Sequence, residues 1–475
     1  MVDNMEEMHF LLNPKSIAVV GASKDQSKPG GKILKYLKEK KFKGRIYPVN
    51  PNEESILGFK CYKSIDKIPD RVDLACLIIP AKLLMNVMKG CADKGVKAII
   101  INSSGFAELG EKGEENQKEL TKYARDNGMR ICGPNTNGVI NTNNSLFASF
   151  SMALDITNIP TNGKISFVTQ SGAIGGGVIS KAWENDIGLN YIVSSGNEAD
   201  LCTSDYINFF VEDINTEVIC VFLEGINNGE KFKDSLYAAL TAKKPVIIYK
   251  NGKTKIGQES VKSHTGSLAG DSEVYQTVFK QYGIIEAEEL DDILDKAIAF
   301  TGTTKTSGNK IGIVSTSGGA CTIVADNCID MGLDVPDLMP ETNRKLKKIL
   351  PNFGIPQNPF DTTAMIASNS SLFKESLKLF IEDKNIDAMI LTLTTLSGSL
   401  ASNIADDIIE LQQKTDKPII VAWTIAETLA KEGMDKLRKS GIPLYPNGEK
   451  AVRSLKSVID YNDYQAKTHC TKVSM

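Results

Sequence analysis

Short runs of β-branched residues alternate with longer amphipathic stretches along almost the whole chain. This alternation is typical of parallel α/β domains, because two parallel strands need a crossover between them and that crossover is usually a helix. The strand-like runs fall into three successive groups, as expected for a chain too long for one hydrophobic core. We therefore predict an α/β fold with three consecutive doubly wound units.

In the first group, five short runs are bounded by turn residues and separated by helix-like stretches such as GGKILKYLKEKKF. An asparagine-rich segment over 140–163 interrupts this rhythm, and we interpret it as a connection. The predicted strands are 16–23, 44–51, 72–80, 96–105 and 129–135.

The second and third groups open on similar sequences. Residues 164–173 read KISFVTQSGA and residues 310–319 read KIGIVSTSGG, each a buried-type strand that breaks into a Ser-Gly turn. The second group ends in the helical stretch ELDDILDKAIAF, and the polar segment 301–309 separates it from the third. A shared ten-residue opening is weak support for duplication, but it favours the same topology in both units.

Composition excludes several classes of protein. The net charge is −3 and no basic block is present, which argues against nucleic acid as a partner. The acidic N-terminus does not resemble a targeting peptide, and no apolar run reaches the roughly 18 residues of a membrane span. Nine scattered cysteines fit reduced thiols better than disulfides or a metal site. We expect a soluble cytoplasmic protein without a metal site of its own.

A glycine loop, Gly21-Ala22-Ser23, follows the first strand, and Pro29-Gly30-Gly31 then opens a helix. Phosphates bind at such places, where a helix N-terminus meets the carboxyl end of a strand. The G-x-G-x-x-G pattern of NAD sites is absent, and the second strand ends in PVNP without an acidic residue. The loop favours a nucleotide-containing ligand other than NAD, although a plain glycine turn remains an alternative.

Two further helix starts follow strands directly, at Ser171-Gly172 and at Ser317-Gly318-Gly319. The N-terminus of a helix carries about half a positive charge, and serine with glycine leaves its N–H groups accessible to an anion. Each alone could be an ordinary capped helix. The pair indicates a phosphate group handled by two helix ends.

The chain has only three histidines, and His264 lies in the small, polar sequence SHTGSLAG. We predict a loop there, because a packed structural histidine would have bulky apolar neighbours. A neutral imidazole is a nucleophile when a carboxylate holds its other nitrogen. Glu224, at the end of the strand VICVFLEG, is the candidate carboxylate, with a solvated strand-end acid as the alternative.

Three other chemistries lack their motifs. Neither Ser171 nor Ser317 has the glycine two positions earlier that a G-x-S-x-G hydrolase requires. The P-loop pattern G-x-x-x-x-G-K-[ST] does not occur. Too few histidines and the cysteine spacing exclude a zinc site.

Taken together, the GAS loop, VTQSGA, the LEG strand end and SHTGSLAG resemble the ADP-forming acyl-CoA synthetases, relatives of succinyl-CoA synthetase. The resemblance runs along about the whole chain. It implies a Rossmann-like CoA-binding domain over 1–140 and a flavodoxin-like ligase domain with the histidine over 141–305. A second flavodoxin-like ligase domain would span 306–475.

The resemblance also implies roles for individual residues. His264 matches the histidine that is transiently phosphorylated, and Glu224 matches the glutamate that hydrogen-bonds it. The two helix starts, Ser171-Gly172 and Ser317-Gly318-Gly319, match the sites that hold the phosphoryl group. The positions that match CoA contacts are Gly21, Ala22, Ser23, Asn50, Ile79, Pro80, Ser103, Ser104 and Gly105.

The implied reaction is reversible formation of acyl-CoA, ADP and phosphate from an acid, CoA and ATP, through an acyl phosphate and phosphohistidine. We see no ATP-grasp domain in the chain, so ATP or ADP with Mg²⁺ would bind a β subunit or a fused C-terminal segment, in an oligomer. No cationic pocket for a second carboxylate is readable, which favours acetate, 3-hydroxypropionate or 4-hydroxybutyrate. The alternative is a non-catalytic acyl-CoA-binding regulatory or scaffold protein of the same fold.

Overall fold

The protein is described from a computed structural model, which divides into two compact units, Met1–Leu290 and Asp291–Met475. Among the described residues, the first unit contains two large sheets and a two-stranded ribbon, and the second contains one sheet. The residues that the structure describes are 5–265, 271–302, 306, 308–350, 354–362 and 370–472.

The first sheet has five parallel strands in the order β2-β1-β5-β6-β7, and a separate two-stranded ribbon pairs β3 with β4. The parallel strands are short apolar runs, and β1, β5, β6 and β7 are buried along their whole length, as expected for a sheet covered on both faces. The strands are β1 (Ser16–Val20), β2 (Arg45–Val49), β3 (Ser55–Ile56), β4 (Phe59–Lys60), β5 (Leu74–Leu77), β6 (Ala98–Ile101) and β7 (Arg130–Cys132).

Helices connect these strands and cover the sheet. Pro29 starts the second helix, where its fixed φ and missing N–H cost nothing. All five predicted strands of this sheet are confirmed. The helices are α1 (Met5–Leu12), α2 (Pro29–Glu39), α3 (Ala81–Asp93) and α4 (Glu111–Asp126).

The second sheet has seven strands in the order β14-β13-β12-β10-β11-β8-β9. Its five C-terminal strands are parallel, whereas β8 pairs antiparallel with both β11 and β9. The strands are β8 (Gly138–Asn141), β9 (Leu146–Ser149), β10 (Ile165–Thr169), β11 (Leu189–Ser194), β12 (Val218–Leu223), β13 (Val246–Lys250) and β14 (Ile285–Glu286).

The interpretation of 140–163 as a mere connection is therefore wrong in its first part. The two halves of the hairpin, GVIN and LFAS, are buried, and the asparagine-rich turn between them hid their pairing in the sequence.

The helices that connect the strands of the second sheet are α5 (Gly172–Glu184), α6 (Thr203–Glu212), α7 (Gly229–Thr241), α8 (Lys255–Thr265) and α9 (Ser272–Gln281).

The third sheet forms the second compact unit, with five parallel strands in the order β16-β15-β17-β18-β19. Its strands are β15 (Ile311–Ser315), β16 (Phe360–Asp361), β17 (Ala388–Thr394), β18 (Ile419–Thr424) and β19 (Leu444–Tyr445). Its helices are α10 (Asp292–Gly302), α11 (Gly318–Asp330), α12 (Pro340–Ile349), α13 (Ser370–Glu382), α14 (Gly398–Gln412), α15 (Glu427–Ser440) and α16 (Gly448–Lys472).

Helix α10 packs within this second unit. The hydroxyl of Tyr445 donates to the carbonyl of Asp295 at 2.8 Å, and Lys450 pairs with the Asp295 carboxylate at 2.7 Å. Among the helices in the described ranges, none is both long enough and apolar enough to cross a membrane. The domain limits at 140 and 305 stay predictions.

The second and third sheets repeat one arrangement. The order β14-β13-β12-β10-β11 of one corresponds strand by strand to the order β19-β18-β17-β15-β16 of the other. The two similar openings occupy the same central position, as β10 and β15. The prediction of a common topology is confirmed.

Candidate active site

All predicted CoA-contacting residues lie at one edge of the first sheet, the edge where its parallel strands end. Ligands bind at this edge in open α/β sheets. Gly21-Ala22-Ser23 follows β1, Asn50 follows β2, Ile79-Pro80 follows β5, and Ser103-Ser104-Gly105 follows β6.

The glycine loop is held in a conformation that requires glycine. Gly21 has φ +88°, and a Cβ atom there would lie 2.1 Å from the carbonyl oxygen of Ile78. The N–H groups of Gly21 and Ala22 donate to the carbonyl of Val49 at 3.1 and 3.3 Å. The side chain of Asn50 donates to the carbonyl of Ala22 at 2.8 Å, so the second strand end fixes the first.

The loop after β6 is tied to the second sheet. The N–H of Gly105 donates to Oε1 of Glu108 at 2.5 Å, and Nδ2 of Asn197 donates to Oε2 of the same carboxylate at 2.6 Å. Burial raises the pKa of Glu108, but these hydrogen bonds outweigh burial and hold the pKa below its usual value. Because Asn197 follows β11, an ionised carboxylate links the end of the first sheet to the end of the second.

The two predicted phosphate sites have the same local geometry. Thr169 Oγ1 accepts a hydrogen bond from the N–H of Ser171 at 3.2 Å, and Ser315 Oγ accepts one from the N–H of Ser317 at 3.0 Å. Each serine occupies the N-cap position, of α5 and α11 respectively, but neither side chain makes the capping hydrogen bond. The first-turn N–H groups, which have no partner within a helix, are therefore not occupied by the serine hydroxyl.

Glu224 directly follows β12 and is buried, with 8% of its surface exposed. This burial does not fit the alternative of a solvated strand-end acid. Its N–H donates to Oε1 of Gln170 at 2.6 Å, and its carbonyl accepts a hydrogen bond from Nζ of Lys250 at 2.9 Å.

His264 lies in the last turn of α8, not in a loop as predicted. The helix begins after Thr254, whose hydroxyl accepts a hydrogen bond from the N–H of Gly257 at 3.1 Å. No glycine or proline follows Gly257 until position 266, so the helix continues to Thr265 despite its small polar residues. The rest of the SHTGSLAG motif, 266–270, lies outside the described residues.

Sequence reasoning missed Gln170 and Lys250, which contact the backbone of Glu224. Lys250 is 3% exposed, and its ammonium group lies 4.8 Å from the ring centroid of Tyr275. Burial lowers the pKa of Lys250 to about 8, although the nearby Glu224 carboxylate acts in the opposite direction. An isolated lysine at the end of the apolar run PVIIYK is the signal that could have indicated it.

Three family models match the chain one after another. A CoA-binding domain matches residues 15–142, the flavodoxin-like domain of succinyl-CoA ligase matches 162–300, and a ligase-CoA domain matches 311–465.

Proteins of similar sequence match this chain along nearly its full length. The α subunit of an ADP-forming acetate–CoA ligase II from Pyrococcus furiosus is 36% identical over 93% of this chain and 95% of its own length. The ADP-forming 4-hydroxybutyrate–CoA ligase of Nitrosopumilus maritimus is 31% identical over 96% of this chain but 65% of its own length. The chain thus spans about two thirds of that longer relative.

A solved structure shows the same fold. The dinucleotide forming acetyl-coenzyme A synthetase 1 of Candidatus Korarchaeum cryptofilum, in complex with phosphate and ADP, matches with a TM-score of 0.89 and 32% identity. The match covers 98% of this chain and 99% of that one.

The fold and the relatives define an acid–thiol ligase, built from a CoA-binding domain and two ligase domains. The chain belongs to the ADP-forming acyl-CoA synthetases and corresponds to their α-type portion. This assignment supports the catalytic interpretation over a regulatory or scaffold protein of the same fold.

Proposed function

We propose that the chain carries out the CoA and phosphoryl half of acyl-CoA synthesis, with His264 as the residue that is transiently phosphorylated and Glu224 as its carboxylate partner. The observation that carries this proposal is the buried, fixed Glu224 at the carboxyl edge of the second sheet. The neighbouring strand β13 ends at Lys250, and α8, which contains His264, begins at Lys255. Four residues separate the strand beside Glu224 from the first turn of this helix, and His264 lies in its last turn.

The proposed reaction has three steps. A phosphate oxygen attacks the thioester carbonyl of acyl-CoA, the C–S bond breaks, and CoA leaves as a thiolate that takes up a proton. A neutral ring nitrogen of His264 then attacks the phosphorus of the acyl phosphate, and the carboxylate leaves. Transfer of the phosphoryl group to ADP regenerates the imidazole, and each step is reversible.

The charge of Glu224 and the dipoles of two helices assign a role to each part of the proposed site. Glu224 stabilises the imidazole as positive charge develops on it, as a carboxylate does for a histidine nucleophile. The helix N-termini at Ser171-Gly172 and at Ser317-Gly318-Gly319 each offer N–H donors and a positive dipole end to a phosphoryl group. Coenzyme A is proposed to bind the edge of the first sheet, at the nine positions named above.

The nucleotide half is proposed to lie on an ATP-grasp partner that binds ATP or ADP with Mg²⁺. Two observations support a partner: some relatives are named as α subunits, and others are longer chains of which this one spans about two thirds. A β subunit and a fused C-terminal segment both fit these relatives, and either one would give an oligomeric or multidomain enzyme.

For the acyl group we propose a short monocarboxylate. Acetate is the first candidate because several relatives are named as acetate–CoA ligases. A hydroxy acid is the second, because one relative is named as a 4-hydroxybutyrate–CoA ligase. 3-Hydroxypropionate belongs to the same class.

Incubation of the purified chain with ³²P-labelled acetyl phosphate tests the phosphohistidine. We expect acid-labile, alkali-stable label that maps to His264 and disappears in His264→Asn. The matched control is His9→Asn, since His9 lies on α1, where its Nδ1 faces Nδ2 of Asn13 at 3.4 Å, and this variant should label normally. Undiminished labelling of His264→Asn would contradict the proposal.

A further inference from the structure

Glu224 lies just beyond the regular pairing of its strand. Strand β12 ends at Leu223, and its last ladder partner on β13 is Lys250. A residue beyond the ladder has no neighbouring strand to fix its backbone, so its side-chain direction depends on other contacts.

In Glu224 those contacts come from two side chains. The carboxamide oxygen of Gln170 accepts from the N–H groups of Glu224 and Gly225 at 2.6 and 3.0 Å, and its Nε2 donates to the carbonyl of Gly225 at 2.9 Å. On the other side, Nζ of Lys250 donates to the carbonyl of Glu224 at 2.9 Å. Both backbone polar groups of Glu224 are thus held by side chains.

The side chains that do this holding are themselves fixed. Gln170 hydrogen-bonds the carboxylate of Glu198, which also accepts from the hydroxyls of Ser195 at 2.8 Å and Thr203 at 2.6 Å. Lys250 is buried against the ring of Tyr275. A functional group supported in this way keeps one geometry because packing and hydrogen bonds hold its supports in place.

The third sheet contains the corresponding contact at a strand end where no carboxylate has to be oriented. Thr316 occupies the position of Gln170, and its hydroxyl accepts from the N–H of Thr394 at 2.9 Å. A single short side chain is enough to tie the two strand ends together there. In the second sheet, the longer glutamine reaches one residue further and a buried lysine is added, at a cost in desolvation.

We propose that Gln170 and Lys250 are positioning residues that hold Glu224 in the orientation in which its carboxylate meets the imidazole of His264. This role rests on the function proposed above. Small displacements of a catalytic group reduce rates by about 10²-fold. Loss of either support should therefore slow phosphoryl transfer without weakening CoA binding, because the CoA positions lie on the first sheet.

The test compares Gln170→Met, which has nearly the same size but no amide, with the wild-type full chain. Phosphorylation from acetyl phosphate should slow by about 10- to 100-fold while the Kd for CoA stays within twofold. Lys250→Met should behave like Gln170→Met.

A double-mutant cycle separates positioning from general loss of structure. If Gln170 acts through Glu224, Gln170→Met should have little further effect, less than about twofold, in a Glu224→Gln background. The matched control is Ser166→Ala on β10, the strand that Gln170 follows. It removes a buried hydrogen bond of 2.7 Å to Thr216, at the opposite edge of the sheet, where the strands begin. It should lower the melting temperature without changing the phosphorylation rate.

The outcomes distinguish this inference from the function on which it rests. Absence of any His264-dependent label in the wild type would refute the proposed function itself. If the wild type labels normally, two results would overturn the positioning role alone. One is that Gln170→Met slows labelling equally in the wild-type and Glu224→Gln backgrounds. The other is that the single variant Gln170→Met labels at the wild-type rate.

Discussion

A single carboxylate, Glu224, connects the fold of this protein to its proposed chemistry. It is buried, placed one residue beyond a strand, and held by Gln170, which directly follows β10, and by Lys250, the last residue of β13. Such placement costs stability and is expected where an orientation has to be kept for function.

We expect Glu224→Gln to slow phosphorylation of His264 by about 10²- to 10⁴-fold, because the amide keeps the shape but loses the charge that stabilises the imidazole. The rate of labelling from acetyl phosphate measures this. Wild-type kinetics in the variant would show that another acid orients the histidine.

A separate prediction concerns Lys250 and the pH dependence of the free energy of unfolding. Its pKa of about 8 lies below the usual value of a lysine, so between about pH 8 and 10.5 the unfolded chain binds more protons there than the folded one. Its contribution to the free energy of unfolding should rise with pH in this window. The charged and titratable groups that face it are Glu224, Lys253 and Tyr275.

The measurement is the free energy of unfolding of wild type and Lys250→Met across that pH range. The difference in slope should approach about 1.4 kcal/mol per pH unit. Parallel curves for the two proteins would mean that Lys250 titrates normally in the folded state.

At the scale of elements, the loop after β1 shows how one strand end constrains another. Gly21 combines a positive φ with a backbone carbonyl in the space that a side chain would need. Gly95 also has a positive φ, +73°, but open space around it, which makes it a control for conformation without crowding.

Gly21→Ala should therefore destabilise the protein more than Gly95→Ala, for which strain alone costs about 1–3 kcal/mol. Gly21→Ala should also weaken CoA binding, because the glycine loop must shift away from Ile78. Thermal melts and CoA titrations of the two variants check this. Equal effects of both substitutions would show that the crowding at Gly21 is relieved without cost.

The sequence predicted the strands of the first sheet and the common topology of the other two sheets, because buried parallel strands appear as compact apolar runs. It did not predict the helical setting of His264, since polar residues without glycine or proline extend a helix as readily as they form a loop. Gln170 and Lys250 were missed for a different reason: they lie 54 and 26 residues from Glu224, and only the sheet brings them together.

At the scale of the whole molecule, the proposed division of labour makes a prediction about phosphate donors. The chain alone should label His264 rapidly from acetyl phosphate, or from acetyl-CoA with phosphate, but not from ATP. Labelling with [γ-³²P]ATP, alone and after co-expression with an ATP-grasp chain, measures this. Rapid stoichiometric labelling from ATP by the chain alone would place a nucleotide site within it.

The hairpin β8–β9 also decides how the molecule can be divided. The predicted domain limit at 140 falls inside β8, so separation there would break the hairpin and leave the four residues Tyr191–Ser194 of β11 without their antiparallel partner strand. An open edge of that length invites pairing with another chain. The corresponding edge strand β16 spans only two residues, Phe360–Asp361. A ligase fragment that starts after the hairpin should therefore self-associate, whereas one that starts before residue 138 should stay dispersed.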